Sequence, residues 1–210
     1  MEETARHFER IGNQIQYDYE LTKQYLEKMA RTKIDPDFKF HESDEEILKR
    51  LFVYNIDDFE HCKLFGVDPR KGILLIGPVG CGKTTLMKVF SYLAHDHKKY
   101  VIKPTREITA EFIQDGFQVL SRYGKSYKGF CFDDLGVEQS IKHFGNECNV
   151  IGEILLSRYE YMKVHNSVTH STTNLNANEL EKIYGIRVRS RLREMFNLIS
   201  FPESTQDKRK

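Results

Sequence analysis

The chain of 210 residues contains no run of about 18 apolar residues, the length that a membrane-spanning helix requires. Its first residues, MEETARHFER, are charged and lack the apolar core of a signal peptide. These absences predict a protein that does not enter a membrane. We expect it to act in the cytoplasm.

The chain also has no excess of charge of either sign. It carries 32 Lys and Arg residues against 31 Asp and Glu residues, which gives a formal net charge of +1. A nearly neutral protein has no overall electrostatic attraction to nucleic acid. Any contact with DNA must therefore come from a local basic patch.

Cysteine is scarce, and its spacing matches no common zinc or disulfide pattern. The four cysteines, Cys62, Cys81, Cys131 and Cys148, form no C-x-x-C pair. We therefore expect reduced thiols, as in a cytosolic protein, and no structural zinc. Because 40% of the residues are apolar, the chain can supply a core, and its length predicts one main domain.

The most informative stretch of the chain is GPVGCGKTT, residues 77–85, which matches the phosphate-loop pattern G-x-x-x-x-G-K-[ST]. It follows an apolar run at 73–76, typical of a buried parallel strand, and precedes a helical pattern of apolar residues. In that context the backbone N–H groups and the helix N-terminus bind phosphate oxygens. The residues expected to bind the nucleotide are Gly77, Pro78, Val79, Gly80, Cys81, Gly82, Lys83, Thr84 and Thr85.

Two side chains of this loop and two acids downstream predict the chemistry. Lys83 is expected to contact the β- and γ-phosphates, and Thr84 to ligate Mg²⁺. About 50 residues after the loop, the apolar run 130–132 ends in Asp133 and Asp134. Asp133 would hold Mg²⁺ opposite Thr84, and Asp134 would act as the general base that orients the attacking water. The predicted cofactors are therefore ATP and Mg²⁺.

A third element is the β-branched run 167–173, which ends in Asn174. We predict a strand whose tip presents this amide beside the γ-phosphate, where it senses hydrolysis and helps to place the water. Asn176 and Glu179 then form a helix-capping pair, and the helix is expected to end at Gly185.

An arginine-rich helix is predicted at 187–195. Arg187 and Arg191 share one face, whereas Arg189 and Arg193 share another. One pair could contact a neighbouring subunit's phosphate, while the other meets solvent or DNA. The residues that could contact single-stranded DNA are Arg189, Arg193, Lys103, Arg106, Lys125, Lys128, Tyr123 and Tyr127. The alternative is that these side chains belong to solvated loops.

Upstream of the loop, apolar residues at helical spacing predict one amphipathic helix over 4–31. It either packs on its own domain or serves as a docking arm for a partner, and the break at 34–36 favours the second alternative. Ser43 and Glu46 form a capping box that predicts the start of another helix. Tyr54 is the candidate for the residue that contacts adenine.

Together these motifs resemble those of AAA+ ATPases, and more closely those of DnaC-type helicase loaders and IstB-type transposition helper ATPases. The likeness covers about residues 44–201. It is carried by residues 77–84, 133–136, 158–159, 172–175 and 184–191. The resemblance implies an α/β fold: a three-layer αβα P-loop NTPase core with a five-stranded parallel sheet, no helical lid, and an N-terminal helix in front.

The resemblance also implies roles for single residues. Asn174 matches the sensor residue. Arg191 is the best match to the arginine finger that enters a neighbouring subunit's site, although Arg187 stays open as an alternative. Arg158 is a second candidate for an interface role. A homo-oligomer is therefore expected.

The expected domain organisation is a helical extension at 1–40, an ATPase core at 41–201 and a charged tail at 202–210. Since only a strand and that tail follow Arg191, no helical lid is expected, and the ATPase activity should be weak until subunits or a partner assemble. The resemblance implies a DnaC-type ATPase that acts on a replicative helicase in DNA replication. The alternatives are an IstB-like helper that directs a transposase, and a nucleotide-gated DNA- or protein-binding module with little turnover.

Overall fold

The computed structural model describes residues 7–12, 14–138, 141–143 and 146–209. It begins with an antiparallel hairpin of β1 (Phe8–Ile11) and β2 (Gln14–Tyr17), followed by helix α1 (Tyr19–Lys33). The helix predicted over 4–31 is therefore wrong at 8–17 and confirmed from Tyr19 onward; residues 4–6 and 13 lie outside the described part. Gly12 takes a positive φ of 62° between the two strands, and the Asp18 carboxylate caps α1 by accepting a hydrogen bond from the amide of Leu21.

A short 3-10 turn (Glu42–Asp44) leads into α2 (Glu45–Asn55), α3 (Phe59–Leu64) and β3 (Gly72–Ile76). The capping box predicted at Ser43 does not form. Instead Asp44 occupies the N-cap position of α2, and the Ser43 hydroxyl donates to its carboxylate at 3.3 Å. The chain continues through α4 (Lys83–Phe90), β4 (Tyr100–Pro104), α5 (Thr105–Asp115) and α6 (Gln118–Gly124).

The second half contains β5 (Gly129–Asp133), a small hairpin of β6 (Ile141–His143) and β7 (Asn146–Cys148), α7 (Val150–His165), β8 (Thr169–Thr173), α8 (Ala177–Met195) and β9 (Phe196–Ser200). The capping box of Asn176 and Glu179 is confirmed at the start of α8. The helix end predicted at Gly185 is present as a kink with φ 83°.

The five longer strands form one parallel sheet in the order β4-β5-β8-β3-β9. Successive side chains of a strand point to opposite faces, so Ile73 and Leu75 enter one core while Leu74 enters the other. The first core includes buried residues of α1 to α4, and the second includes residues of α5 to α8. This arrangement confirms the predicted three-layer αβα core with a five-stranded parallel sheet.

Helix α1 packs on this domain, because Leu26 and Ala30 are buried in the first core. The hairpin in front of it exposes Phe8, Ile11 and Ile15. A docking role for the N-terminal extension stays a prediction, and its exposed apolar side chains belong to the hairpin. None of the described helices is both long enough and apolar enough to cross a membrane.

Arg158, predicted from the resemblance as an interface residue, is instead buried in the domain with 0% exposure. Its guanidinium donates to the hydroxyls of Thr169 and Ser167, each at 2.8 Å, and to the carbonyls of Ser126 and Val168 at 2.6 and 3.0 Å. Burial lowers the pKa of Arg158 to about 10. A side chain held on all sides in this way ties α7 to the start of β8 and is not available to another subunit.

His170 in β8 is buried at 1% exposure, and its Nδ1 accepts the backbone N–H of Ile73 at 3.1 Å. The ring packs against Tyr100, with centroids 4.5 Å apart. Burial, as the largest cause, and the nearby Lys98 ammonium, as the next, lower the pKa of His170 to about 3. The folded protein therefore keeps this imidazole neutral at pH values where an unfolded chain would protonate it.

This difference predicts a specific pH dependence of stability. A histidine in the unfolded chain takes up a proton as the pH falls below about 6.5, whereas folded His170 does not until about pH 3. The contribution of His170 to the free energy of unfolding is therefore complete above pH 6.5 and is lost progressively as the pH falls below that value. Between pH 7 and 5 the wild type should lose about 2 kcal/mol more free energy of unfolding than a His170→Asn variant. Denaturant titrations at both pH values measure this. A His165→Asn control, at an exposed position, should keep the wild-type dependence; equal slopes for the wild type and His170→Asn would contradict the assignment.

Candidate functional site

The site is built at one edge of the sheet, where β5, β8 and β3 end side by side. Because the strands are parallel, the residues that follow their carboxyl ends meet at the same edge. Asp133 ends β5, Thr173 ends β8 and the glycine loop follows β3. The order β5-β8-β3 therefore brings the predicted acids and the predicted phosphate loop to either side of one strand.

The glycine loop has the tight backbone that the sequence predicts. Gly80 and Gly82 take φ values of 81° and 99°, in the left-handed region that side chains disfavour, and α4 begins directly at Lys83. The amide of Gly77 donates to the carbonyl of Thr173 at 3.2 Å, which fixes the loop to the end of β8. The residues predicted to bind the nucleotide, 77–85, therefore form one turn around the N-terminus of a helix.

Lys83 lies inside this turn and is only 6% exposed. Its ammonium donates to the carbonyls of Gly77 and Pro78 at 2.8 and 2.9 Å. Its third contact is a long one, to the Cys81 sulfur at 3.9 Å, and sulfur is a weak acceptor that an anion in the loop would replace. A buried cation held by the loop backbone is well placed to bind phosphate.

Asp133 is the centre of the site and is 7% exposed. One carboxylate oxygen, Oδ1, accepts hydrogen bonds from the hydroxyls of Thr84 at 2.7 Å and Thr172 at 2.6 Å. Thr84 belongs to α4 and Thr172 to β8, so one oxygen connects three elements of the sheet edge. The structure thus brings together two residues, Thr84 and Asp133, that were predicted to share a magnesium ion.

The oxygens of Thr84 and Asp133 are suited to Mg²⁺. This ion takes oxygen ligands in a near-octahedral shell and usually keeps several waters, so it needs only one or two protein groups beside the phosphates. Neighbouring ligands in such a shell are about 2.9 Å apart, and these two oxygens are 2.7 Å apart. The pair could therefore hold one cation in common.

Asp134 follows with an uncommon backbone conformation, a positive φ of 59°. Its amide donates to the Thr172 hydroxyl at 2.9 Å, and its carbonyl accepts from the Thr105 hydroxyl at 2.9 Å. These two bonds hold the backbone while the side chain stays exposed. Partial desolvation of this carboxylate, which still reaches water, and the adjacent Asp133 carboxylate raise the pKa of Asp134, which makes it a stronger base than an ordinary aspartate.

Two residues that hold this arrangement received no role from the sequence. Thr172 donates to Asp133 and accepts from the Asp134 amide, and Thr105, 1% exposed at the start of α5, fixes the Asp134 carbonyl. The available signal was weak: Thr172 lies beside Asn174 in the third motif, and Thr105 follows the second sheet strand.

Asn174 lies one residue beyond β8, next to the strand end that carries the Gly77 contact. Its side chain is exposed and makes no hydrogen bond within the described part of the chain. Its position is at the same sheet edge as the loop and Asp133. A sensor role for this amide stays a prediction.

Arg191 lies at the other end of the sheet. It is in the last part of α8, just before β9, and the first residue of β9 pairs with Gly72 at the start of β3. The length of β3, roughly 16 Å at 3.3 Å per residue, separates this end from the loop. Arg191 donates to Glu194 at 3.0 Å and stacks 4.4 Å from the Tyr159 ring centroid, whereas exposed Arg187 has no partner among the described residues.

The adenine candidate Tyr54 is wrong. Its side chain is 0% exposed, with the Lys98 ammonium 4.0 Å from its ring centroid and His170 packed edge-on at 5.7 Å. An aromatic residue at the centre of the first core cannot contact a nucleotide at the sheet edge. The local sequence pattern did not distinguish burial in the core from exposure in a cleft.

Of the aromatic residues predicted near DNA, Tyr123 is wrong because it is 4% exposed and its hydroxyl donates to Glu111. Tyr127 is 76% exposed and so could stack on a base. Lys103 lies 3.3 Å from Glu111 and Arg189 pairs with Glu181, so these two cations are already neutralised. Of the residues predicted to contact DNA, Tyr123 is therefore buried, and Lys103 and Arg189 are engaged in ion pairs within the domain.

Comparisons with known proteins agree with this fold. No protein-family model matches the chain. Among curated proteins, the proteasome-activating nucleotidases of Pyrococcus abyssi (strain GE5 / Orsay) and Pyrococcus horikoshii are each 38% identical over 65 residues. That match spans 29% of this chain and only 16% of each nucleotidase.

Solved structures are similar over most of the chain. The DnaC helicase loader has a TM-score of 0.54 at 20% identity, covering 80% of this chain and 95% of that chain. DnaI has a TM-score of 0.50 at 24% identity, covering 73% and 84%. AMPPCP-bound DnaA from Aquifex aeolicus has a TM-score of 0.51 at 15% identity, covering 79% and 49%. The chain therefore has the same fold as these proteins, a three-layer αβα core with a five-stranded parallel sheet, as the resemblance of its motifs implied.

Proposed function

We propose that this protein binds ATP with Mg²⁺ and hydrolyses it. The observation that carries the proposal is the shared Asp133 oxygen, which accepts from Thr84 and Thr172 directly beside the glycine loop. A carboxylate and a hydroxyl at this spacing, with a buried lysine in the loop, are the groups that a magnesium–triphosphate needs.

Each residue has a task in this proposal. Lys83 and the loop amides bind the phosphates, and Thr84 with Asp133 would hold the cation, which supplies charge neutralisation on the phosphate oxygens when bound. Asp134 accepts a proton from the attacking water, helped by its raised pKa. Asn174, at the same sheet edge, would orient that water.

The likeness to DnaC supports a helicase-loader-like role in DNA replication. It extends over 95% of the DnaC chain, so nearly all of that structure has an equivalent here. We propose a cytoplasmic ATPase that assembles with copies of itself and acts on a replicative helicase, with single-stranded DNA as a further ligand. Nucleotide binding would stabilise the assembly, and hydrolysis would release it.

The position of Arg191 supports catalysis between subunits. Its guanidinium is held by Glu194 and the Tyr159 ring near the end of α8 that leads into the start of β9, and so is directed away from the chain's own loop. A neighbouring copy is the natural recipient, as with arginine fingers supplied in trans.

The binding and chemical steps can be separated by two variants. Lys83→Ala should weaken ATP binding at least tenfold, because it removes the cation in the loop. Asp134→Asn should bind ATP within about threefold of the wild type but hydrolyse it about 10²- to 10⁴-fold more slowly. Calorimetry measures binding, and phosphate release measures turnover.

The control for Lys83→Ala is Lys88→Ala, an exposed lysine on the same helix. Equal binding by both lysine variants would contradict the assignment of the loop. Full turnover by Asp134→Asn would contradict its role as the base.

Affinity capture with the Asp134→Asn variant, in the presence of ATP, tests the partner. This variant should accumulate the ATP-bound assembly, since it lacks the hydrolysis that releases it. Recovery of a replicative helicase supports the loader role. Recovery of a transposase would contradict it and favour the transposition helper.

An arginine finger predicts turnover that depends on protein concentration. Wild-type activity per subunit should rise with concentration, and Arg191→Ala should remove this rise and lower the assembled rate about 10³-fold while leaving ATP binding unchanged. Arg187→Ala, measured in parallel, decides between the two arginines. A rate per subunit that does not change with concentration, in all three proteins, would contradict catalysis between subunits.

A further inference from the structure

Residues 202–209, which we call the strap, do not extend away from the domain as a charged tail would. The amide of Phe201 continues the sheet ladder by donating to the Ile76 carbonyl at 2.8 Å. The Phe201 side chain packs so closely on Gly77 that an added Cβ there would come within 2.7 Å of it. A turn closed by the Thr205 amide and the Pro202 carbonyl, at 3.0 Å, follows.

After this turn the strap lies against the glycine loop. The Lys208 amide donates to the Gly80 carbonyl at 3.0 Å. The Asp207 carboxylate lies over Gly80, where an added Cβ would come 2.0 Å from its Oδ1. Part of the predicted phosphate-binding turn is therefore covered by the chain itself.

The strap is fixed by an ion pair with the N-cap residue of α2. The Lys208 ammonium pairs with the carboxylate of Asp44, which is 3% exposed at the N-cap of α2. The same ammonium lies 5.1 Å from the centroid of the Phe201 ring. Because separating the pair would leave Asp44 buried without a cation, this contact favours the closed strap.

The charges of the strap disfavour phosphate while it is closed. Lys208 is neutralised by Asp44, and the Arg209 guanidinium lies 3.5 Å from the Asp207 carboxylate and shares its charge. The group that lies directly over Gly80 is the Asp207 carboxylate, and both strap cations are already paired, so neither is free to attract phosphate. A triphosphate would bring further negative charge to the same turn.

We propose that the strap is an autoinhibitory element: closed by the Lys208–Asp44 pair, it restricts entry of nucleotide to the glycine loop, and nucleotide binding displaces it. This inference rests on the proposed function, in which that loop binds ATP. The apparent affinity for nucleotide is then the intrinsic affinity reduced by the fraction of molecules with an open strap.

The main test is the double variant Asp44→Asn/Lys208→Ala. It removes one negative and one positive charge together, so the net charge near the loop is kept while the ion pair is lost. Calorimetry with Mg²⁺ and the non-hydrolysable analogue AMPPNP should give a dissociation constant about five- to tenfold lower than that of the wild type. The control is Asp96→Asn/Lys99→Ala, which removes an exposed ion pair before β4, at the opposite edge of the sheet, and should bind as the wild type does.

Hydrogen exchange of the wild-type protein gives a second, independent measurement that needs no variant. Adding Mg²⁺ and AMPPNP should speed exchange in the peptide that contains the Lys208 amide, because displacement breaks its bond to Gly80. Slower exchange would mean that the strap closes over bound nucleotide, and would overturn the proposal.

The outcomes separate the two proposals. Suppose that Lys83→Ala abolishes nucleotide binding, but that the Asp44→Asn/Lys208→Ala variant binds nucleotide as tightly as the wild type or more weakly. This result would overturn autoinhibition by the strap and would support the ATP site. If the wild type and the Asp44→Asn/Lys208→Ala variant both fail to bind nucleotide, although circular dichroism shows that both are folded, the proposed ATP site is wrong. The proposed role of the strap is then wrong as well. If the double variant does not fold, the exchange experiment decides alone.

Discussion

A single carboxylate oxygen organises the functional end of this protein. Asp133 Oδ1 accepts from hydroxyls on α4 and β8 while its own residue ends β5, so three elements from distant parts of the chain are held within hydrogen-bonding distance. Since the residue is 7% exposed, these donors also satisfy a charge that burial would otherwise make costly. The same contacts that stabilise the sheet edge therefore position the groups suited to Mg²⁺.

The charged residues predicted to act in catalysis lie toward opposite ends of the sheet. Lys83, Asp133 and Asp134 lie at the carboxyl end, whereas Arg191 lies in the last part of α8, toward the amino end. The proposal that one subunit completes a neighbour's site rests on this division. The strap adds a second constraint at the carboxyl end, since Asp207 lies where the loop is expected to meet phosphate.

The parts that were predictable from the sequence are those that local spacing decides. The glycine loop and the strand that ends in Asp133 were predicted, since each is a short pattern within one strand–turn unit. The hydrogen bond of Thr172 was not, because it depends on β8 lying between β5 and β3, which is a property of the whole sheet.

The prediction of a helix at 8–17 was wrong because Phe8 and its apolar neighbours fit helical spacing, although Gly12 turns the chain there. The prediction that Tyr54 contacts adenine was wrong because the sequence pattern does not show which aromatic residues are buried in the core.

The most direct test of the account is a crystal structure grown with Mg²⁺ and AMPPNP. We expect one cation bound by Thr84 and Asp133, the Lys83 ammonium on the terminal phosphates and Asn174 facing the γ-phosphate. Nucleotide bound elsewhere, or an Asp133 carboxylate still bonded to Thr84 with no cation between them, would contradict the account.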